Sequence, residues 1–122
     1  MRAIFSGLFT AALIFFPDFR PVWAAPTVTS PTALATSQVV TAGTAVTAIA
    51  AGTVYNGCYI TNDPASVTNI VVDPVATANF ATPSSTAVIL TPNQTWECPG
   101  ASQTAVTVNS GDNAHKFYGA KY

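Results

Sequence analysis

The chain has 122 residues, of which 49% are hydrophobic and only 7% charged, with four basic residues against five acidic ones. That length holds one domain with a two-layer core, and Arg2, Arg20, Lys116 and Lys121 are too few to build the basic surface that nucleic acid requires. Asp18, Asp63, Asp73, Glu97 and Asp112 are the only carboxylates and His115 the only histidine, which excludes most hydrolytic, metal and acid/base machinery.

Residues 1–24 read as an apolar N-terminal segment. Arg2 precedes an apolar run from Ala3 to Phe16, Pro17 ends it, and Asp18 and Arg20 bring charge back. Val22 and Ala24 then stand at −3 and −1 of a signal-peptidase site. As a helix the run would reach about 21 Å, short of a roughly 30 Å hydrocarbon core. The segment is a cleaved signal peptide or an uncleaved arm, and membrane contact is expected only through residues 1–16 if it stays attached. Residues 25–37 are rich in proline, threonine and serine and show no period, which predicts an extended arm or linker.

From Gln38 onward the pattern changes to short β-favouring runs at 38–41, 45–50, 55–62, 69–73, 86–90, 95–98, 105–109 and 116–121. Turn residues separate them: Ala42-Gly43, Ala51-Gly52, Asp63-Pro64, Asp73-Pro74, Pro92-Asn93, Pro99-Gly100 and Ser110-Gly111-Asp112-Asn113. No stretch holds a helical apolar face over three turns. The expected fold is all-β, a small antiparallel β-sandwich of about seven or eight short strands spanning 38–122. Alternation puts Val46, Ala48 and Ala50 on one face and Thr47 and Ile49 on the other. It aims Cys58, Ile60 and Asn62, Ile70 and Val72, Val88 and Leu90, Trp96 and Cys98, Val106 and Val108, and Phe117 inward.

Chemistry is sparse. Cys58 and Cys98 lie on predicted strands without a C-x-x-C pair, so a zinc site is not expected and the pair is either a disulfide or two core thiols, depending on compartment. Asn93-Gln94-Thr95 matches a glycosylation acceptor, a pattern short enough to arise by chance. Asp63 and Asp73 precede prolines, where a carboxylate starts a turn. His115 with Asp112 suggests a minimal acid/base pair, but no serine elbow or glycine-rich phosphate loop accompanies it. No catalytic residue, metal ligand or cofactor is expected, and the chain reads as a non-enzyme. Tyr55, Phe80, Tyr118 and Tyr122 are candidates for an aromatic interface to a protein or carbohydrate.

The order of residues from Ala48 to Tyr122 resembles small β-rich decoration or accessory head proteins of tailed phages and prophages. The resemblance rests on Gly57-Cys58-Tyr59-Ile60-Thr61-Asn62, Ile70-Val71-Val72-Asp73, Leu90-Thr91-Pro92-Asn93-Gln94-Thr95-Trp96-Glu97-Cys98-Pro99, Val106-Thr107-Val108-Asn109 and Ala114-His115-Lys116-Phe117. Those proteins usually have glycine after the turn proline; Asn93 stands here and tolerates positive φ. The resemblance implies a virion protein that stabilises a shell, with the major capsid protein or another virion protein as partner, and closed symmetry on such a shell makes a homo-oligomer, a trimer, one arrangement. The competing expectation is an exported bacterial β-sandwich, secreted or periplasmic, that binds a protein or a carbohydrate.

Overall fold

The structure, a computed structural model, describes residues 31–53, 55–98 and 104–122. The apolar segment 1–24, the arm as far as Ser30 and the Pro99-Gly100 turn lie outside the described residues. Nine short strands follow in chain order: β1 Thr32–Ala33, β2 Gln38–Val39, β3 Val46–Ile49, β4 Cys58–Asn62, β5 Ile70–Asp73, β6 Val88–Leu90, β7 Thr95–Glu97, β8 Val106–Ser110 and β9 His115–Lys121. Every pairing is antiparallel, and the described residues contain no helix.

The strands form two sheets. In the first, β9 is flanked on one side by β4 and then β7, and on the other by β1 along its C-terminal half and β2 along its N-terminal half. In the second the order is β3-β8-β5-β6. Val39, Ile49, Ile60, Ile70, Val72, Val106, Val108 and Phe117 fill the space between the sheets and are fully buried, each worth about 1.5 to 3 kcal/mol against exposure. Leu34, Val46, Val88, Trp96 and Cys98 close its rim. All eight predicted runs appear as strands, most of them shortened at one end, while β8 and β9 each gain a residue, Ser110 and His115, and the small all-β sandwich stands.

Two boundaries differ from expectation. The arm is not separate from Thr32 onward: Thr32 and Ala33 pair with Lys121 and Ala120, Ala35 N–H donates to Ala48 C=O (2.8 Å), and Ser37 C=O accepts from Phe117 N–H (3.0 Å). Its main chain supplies a ladder partner that a proline-rich composition conceals. In β3 the register shifts between Thr47 and Ile49, so that Ala48 and Ile49 are both fully buried, while Ala50 faces solvent. One extra residue in the strand breaks the alternation there.

The turns follow the chemistry of their residues in most places. Gly43, Gly52 and Asn93 all have positive φ (74°, 70° and 66°). In the β8–β9 turn the positive φ falls instead on Ala114 (53°). Gly111 serves a different need: a Cβ there would lie 2.7 Å from the ring of Phe80.

Candidate functional site: an uncovered tyrosine face and a buried histidine network

The outer faces of the two sheets are treated differently. On the second sheet, residues 74–87 between β5 and β6 fold back over Val71, Asp73, Thr107 and Asn109, all of which are buried although they point away from the core. Asp73 holds both ends of this strap. Its carboxylate accepts from Val75 N–H (2.9 Å), Ala76 N–H (2.8 Å) and the Thr86 hydroxyl (2.9 Å), and from the Ser84 hydroxyl as well. Burial by itself would raise the Asp73 pKa, but the bonds from Ala76, Ser84, Val75 and Thr86 outweigh it and hold the carboxyl below its ordinary value of 3.8. The middle of the strap is pinned by Ala78, whose N–H donates to Thr107 Oγ1 (2.8 Å) and whose C=O accepts from Asn109 Nδ2 (2.9 Å).

The first sheet has no such cover among the described residues. Tyr59 on β4 pairs with Ala120 on β9, which places Tyr118 and Tyr122 diagonally on either side of it on the same outward face. Diagonal neighbours of this kind sit roughly 7 to 8 Å apart, within reach of aromatic rings. The three are 38%, 50% and 44% exposed. Small residues keep the face low: Ala120 lies between them, and Gly57 passes beneath the Tyr122 ring, where a Cβ would come within 2.8 Å of it. Beside Tyr118 the Thr61 and Thr95 hydroxyls bond to each other (2.8 Å), and Glu97 and Lys116 mark the margins.

Of the four aromatic candidates, then, only Tyr118 and Tyr122 share a surface. Tyr55 belongs to the core at 6% exposure, and Phe80 lies half-buried in the strap against Gly111, on the second sheet. An aromatic residue type does not say which side of a strand it takes, and here the packing of the 55–62 segment and the strap decided it. Tyr59, not among the candidates, shares that surface with them, as aiming Cys58, Ile60 and Asn62 inward implies.

Cys58 and Cys98 are brought together. They continue the β4–β7 pairing, with Cα atoms 5.0 Å apart and Cys98 N–H donating to Cys58 C=O (2.8 Å), a separation suited to a disulfide.

His115 is the centre of a second arrangement, at the end of the sandwich near the β4–β5 loop. Its partner is Asn62 rather than Asp112: His115 Nε2 meets Asn62 Oδ1 at 2.8 Å, and His115 Nδ1 meets Ser110 Oγ at 3.0 Å. Asn62 Nδ2 donates to Thr68 C=O (2.9 Å) and Leu90 C=O (3.0 Å), which turns its oxygen toward the ring. The neutral imidazole therefore carries its proton on Nε2 and accepts at Nδ1 from the Ser110 hydroxyl, whose oxygen in turn accepts from Asp112 N–H (3.2 Å). Asp112 bonds instead to the Thr68 hydroxyl. Burial lowers the His115 pKa below 6.5, with Asp112 and Asp63 pulling weakly the other way.

Serine, histidine and asparagine in hydrogen-bonded sequence is the geometry of an activated nucleophile, but Ser110 is fully buried and its hydroxyl is held between the ring and the Asp112 N–H. A substrate carbonyl has no approach to it. The adjoining cleft, about 400 Å3 between residues 63–67 and 112–116, is open to solvent and brings together Asp63, Asp112 and Lys116 without joining them to the serine. Among the described residues no group of three or more histidine, cysteine or acidic side chains lies close enough to hold a metal ion. No family model, no curated protein and no solved structure matches the chain.

Proposed function

We propose that the chain is a non-enzymatic structural protein that attaches to a protein assembly, a virion shell, through the uncovered face of its β4–β9 sheet. One observation carries the reading: in one sheet the outward residues of the two central strands, β5 and β8, are buried under the protein's own strap, with Ile89 of the edge strand β6 left 52% exposed, whereas the central strands of the other sheet present Tyr59, Tyr118 and Tyr122 beside small residues. Tyrosines are the residues that most often anchor protein interfaces, since they bring large area at low conformational cost and keep a polar tip. A face with so few charges is also little affected by changing salt.

The test is co-sedimentation of purified protein with capsids, using a Tyr59→Ala/Tyr118→Ala double variant. Both side chains are substantially exposed, so the variant keeps the thermal stability of the parent within a few degrees while binding weakens at least tenfold. Parent protein that stays in the supernatant, or a double variant that binds as well as the parent, rules the reading out.

The Cys58–Cys98 pair favours a second reading, an exported binding module for a protein or carbohydrate, because disulfides persist in oxidising compartments. Intact mass of native, unreduced protein separates the two. A mass lacking residues 1–24 and two hydrogens supports export; a mass that retains those residues supports the shell protein.

A further inference from the structure

We propose that His115 is an acid-operated latch between the two sheets, closed when its proton sits on Nε2 alone and released when Nδ1 is protonated as well. The latch runs through four strands: Asn62 on β4 and His115 on β9 belong to the first sheet, and Ser110 on β8 and the Leu90 carbonyl on β6 to the second. Each donor and acceptor along it has one role, set from the Asn62 end. The Asn62 amide hydrogens are committed to Thr68 and Leu90, so its oxygen can only receive a proton from Nε2, and Nδ1 must accept from Ser110.

Protonation reverses the last link. The new Nδ1–H points at Ser110 Oγ, which already receives Asp112 N–H, and the serine hydrogen loses the acceptor it has in the neutral state. Ser110 is fully buried, so no solvent replaces that acceptor. A cation and an orphaned hydroxyl then share a buried space. The charged groups around the ring are Asp63 after β4, Asp112 in the β8–β9 turn and Lys116 beside it on β9. From β2, β6 and β8 there are none, and the Asp73 of β5 lies on the opposite face of its sheet, under the strap. The two carboxylates soften the cost of the cation without cancelling it.

The direction in pH follows. The folded chain holds the His115 proton less tightly than the unfolded chain does, so stability is full above the ordinary value of 6.5 and falls as pH drops from there toward the lower folded value. The loosened part is the end formed by the β4–β5 loop and the β8–β9 turn.

His115 is the chain's only histidine, so its imidazole signals need no assignment. A titration of the 15N-labelled protein by NMR is expected to give the Nε2–H tautomer at neutral pH, a midpoint below 6.5, and smaller protection factors, each taken against the intrinsic exchange rate at the same pH, for the Asn62 and Phe117 amides on acidification while the Tyr59 amide keeps its protection. In urea, the unfolding midpoint of the parent falls between pH 7 and the His115 midpoint, and that of His115→Gln does not. An Nδ1–H tautomer, a midpoint at or above 6.5, or protection factors that fall equally at both ends of the sandwich overturns the proposal from the parent protein alone, whether or not the variant folds.

Discussion

Replacing Asp73 with asparagine changes one atom's chemistry and leaves the volume in place, so it isolates what the charge does for the strap over the second sheet. In the parent, two backbone N–H groups and two hydroxyls converge on a fully buried carboxylate. A hydrogen bond to a charged group contributes roughly 1.5 to 3 kcal/mol and one to a neutral group about 1, so four bonds weakened together lose about 4 kcal/mol in all. Two effects reduce that figure. The asparagine no longer has a charge to desolvate, and Ser84 can reverse its hydroxyl to accept from the new amide. The expected net loss is about 2 to 3 kcal/mol, read as a lower urea midpoint at pH 7 with an unchanged slope. The pH dependence separates charge from shape. Because the Asp73 pKa is lower in the fold than in the unfolded chain, its contribution is present above the ordinary value of 3.8 and disappears as pH falls through the folded value. Parent and Asp73→Asn curves should therefore converge in acid. A difference below 0.5 kcal/mol at pH 7, or one that persists undiminished at the lowest pH, would show that the carboxylate does not hold the strap by its charge.

Gly119→Ala should be among the most damaging single changes in the chain. The added Cβ would press into the Tyr59 carbonyl on the neighbouring strand and stand 2.8 Å from Leu34 Cδ1, and a backbone atom cannot step aside as a side chain can; a loss of about 3 kcal/mol is expected by thermal melting, and a loss under 1 would contradict the close β4–β9 approach. Ala114→Gly should go the other way. Alanine at φ 53° carries a strain of about 1 kcal/mol that glycine lacks, partly offset by glycine's greater freedom in the unfolded chain, for a gain of about 0.5 kcal/mol. Asn93→Gly, at φ 66°, should gain less, since asparagine already tolerates that region. Equal responses at the two sites in urea unfolding would contradict this ordering.

What could be read from the sequence was whatever depends on neighbours along the chain. Turn pairs such as Ala51-Gly52 and Pro92-Asn93 bounded the strands, and period-two patterns such as Ile70 and Val72 or Val106 and Val108 named the core, because both signals lie within a few residues. The features that escaped depend on partners far away. Thr32–Ala33 is a strand only because Ala120 and Lys121 offer an edge, and nothing in residues 26–37 announces that. The bulge that buries Ala48 and Ile49 together is a property of the β3–β8 register. His115 read locally pointed to Asp112, three residues away, whereas its amide partner is Asn62, 53 residues distant. Asp73 read as a turn starter does start a turn, through Val75 and Ala76. Its hold on Ser84 and Thr86 appears only once the strap has closed.

The scarcity of charge acquires a location from this arrangement. Of the six charged residues after the N-terminal segment, Asp73 is spent inside the strap, Asp63, Asp112 and Lys116 gather at the cleft beside His115, and Glu97 and Lys121 flank the first sheet on β7 and β9. On the Tyr59, Tyr118 and Tyr122 face the charges are Glu97, directly across from Tyr59 on the edge strand β7, and Lys116, two residues before Tyr118. Edge and surface charges are the usual protection of a small β-domain against unwanted association, and the second sheet meets the same need over its two central strands, where the strap covers Val71, Asp73, Thr107 and Asn109. Among the described residues the first sheet has no such cover, and only Glu97 and Lys116 place charge on its tyrosine face. On the proposed reading, the tyrosine face, uncovered among the described residues, is where the partner docks. The double tyrosine variant tests that explanation directly: if the face is a docking surface, Tyr59→Ala/Tyr118→Ala protein remains folded and monodisperse yet leaves the capsid, whereas a face without a partner would show no difference at all.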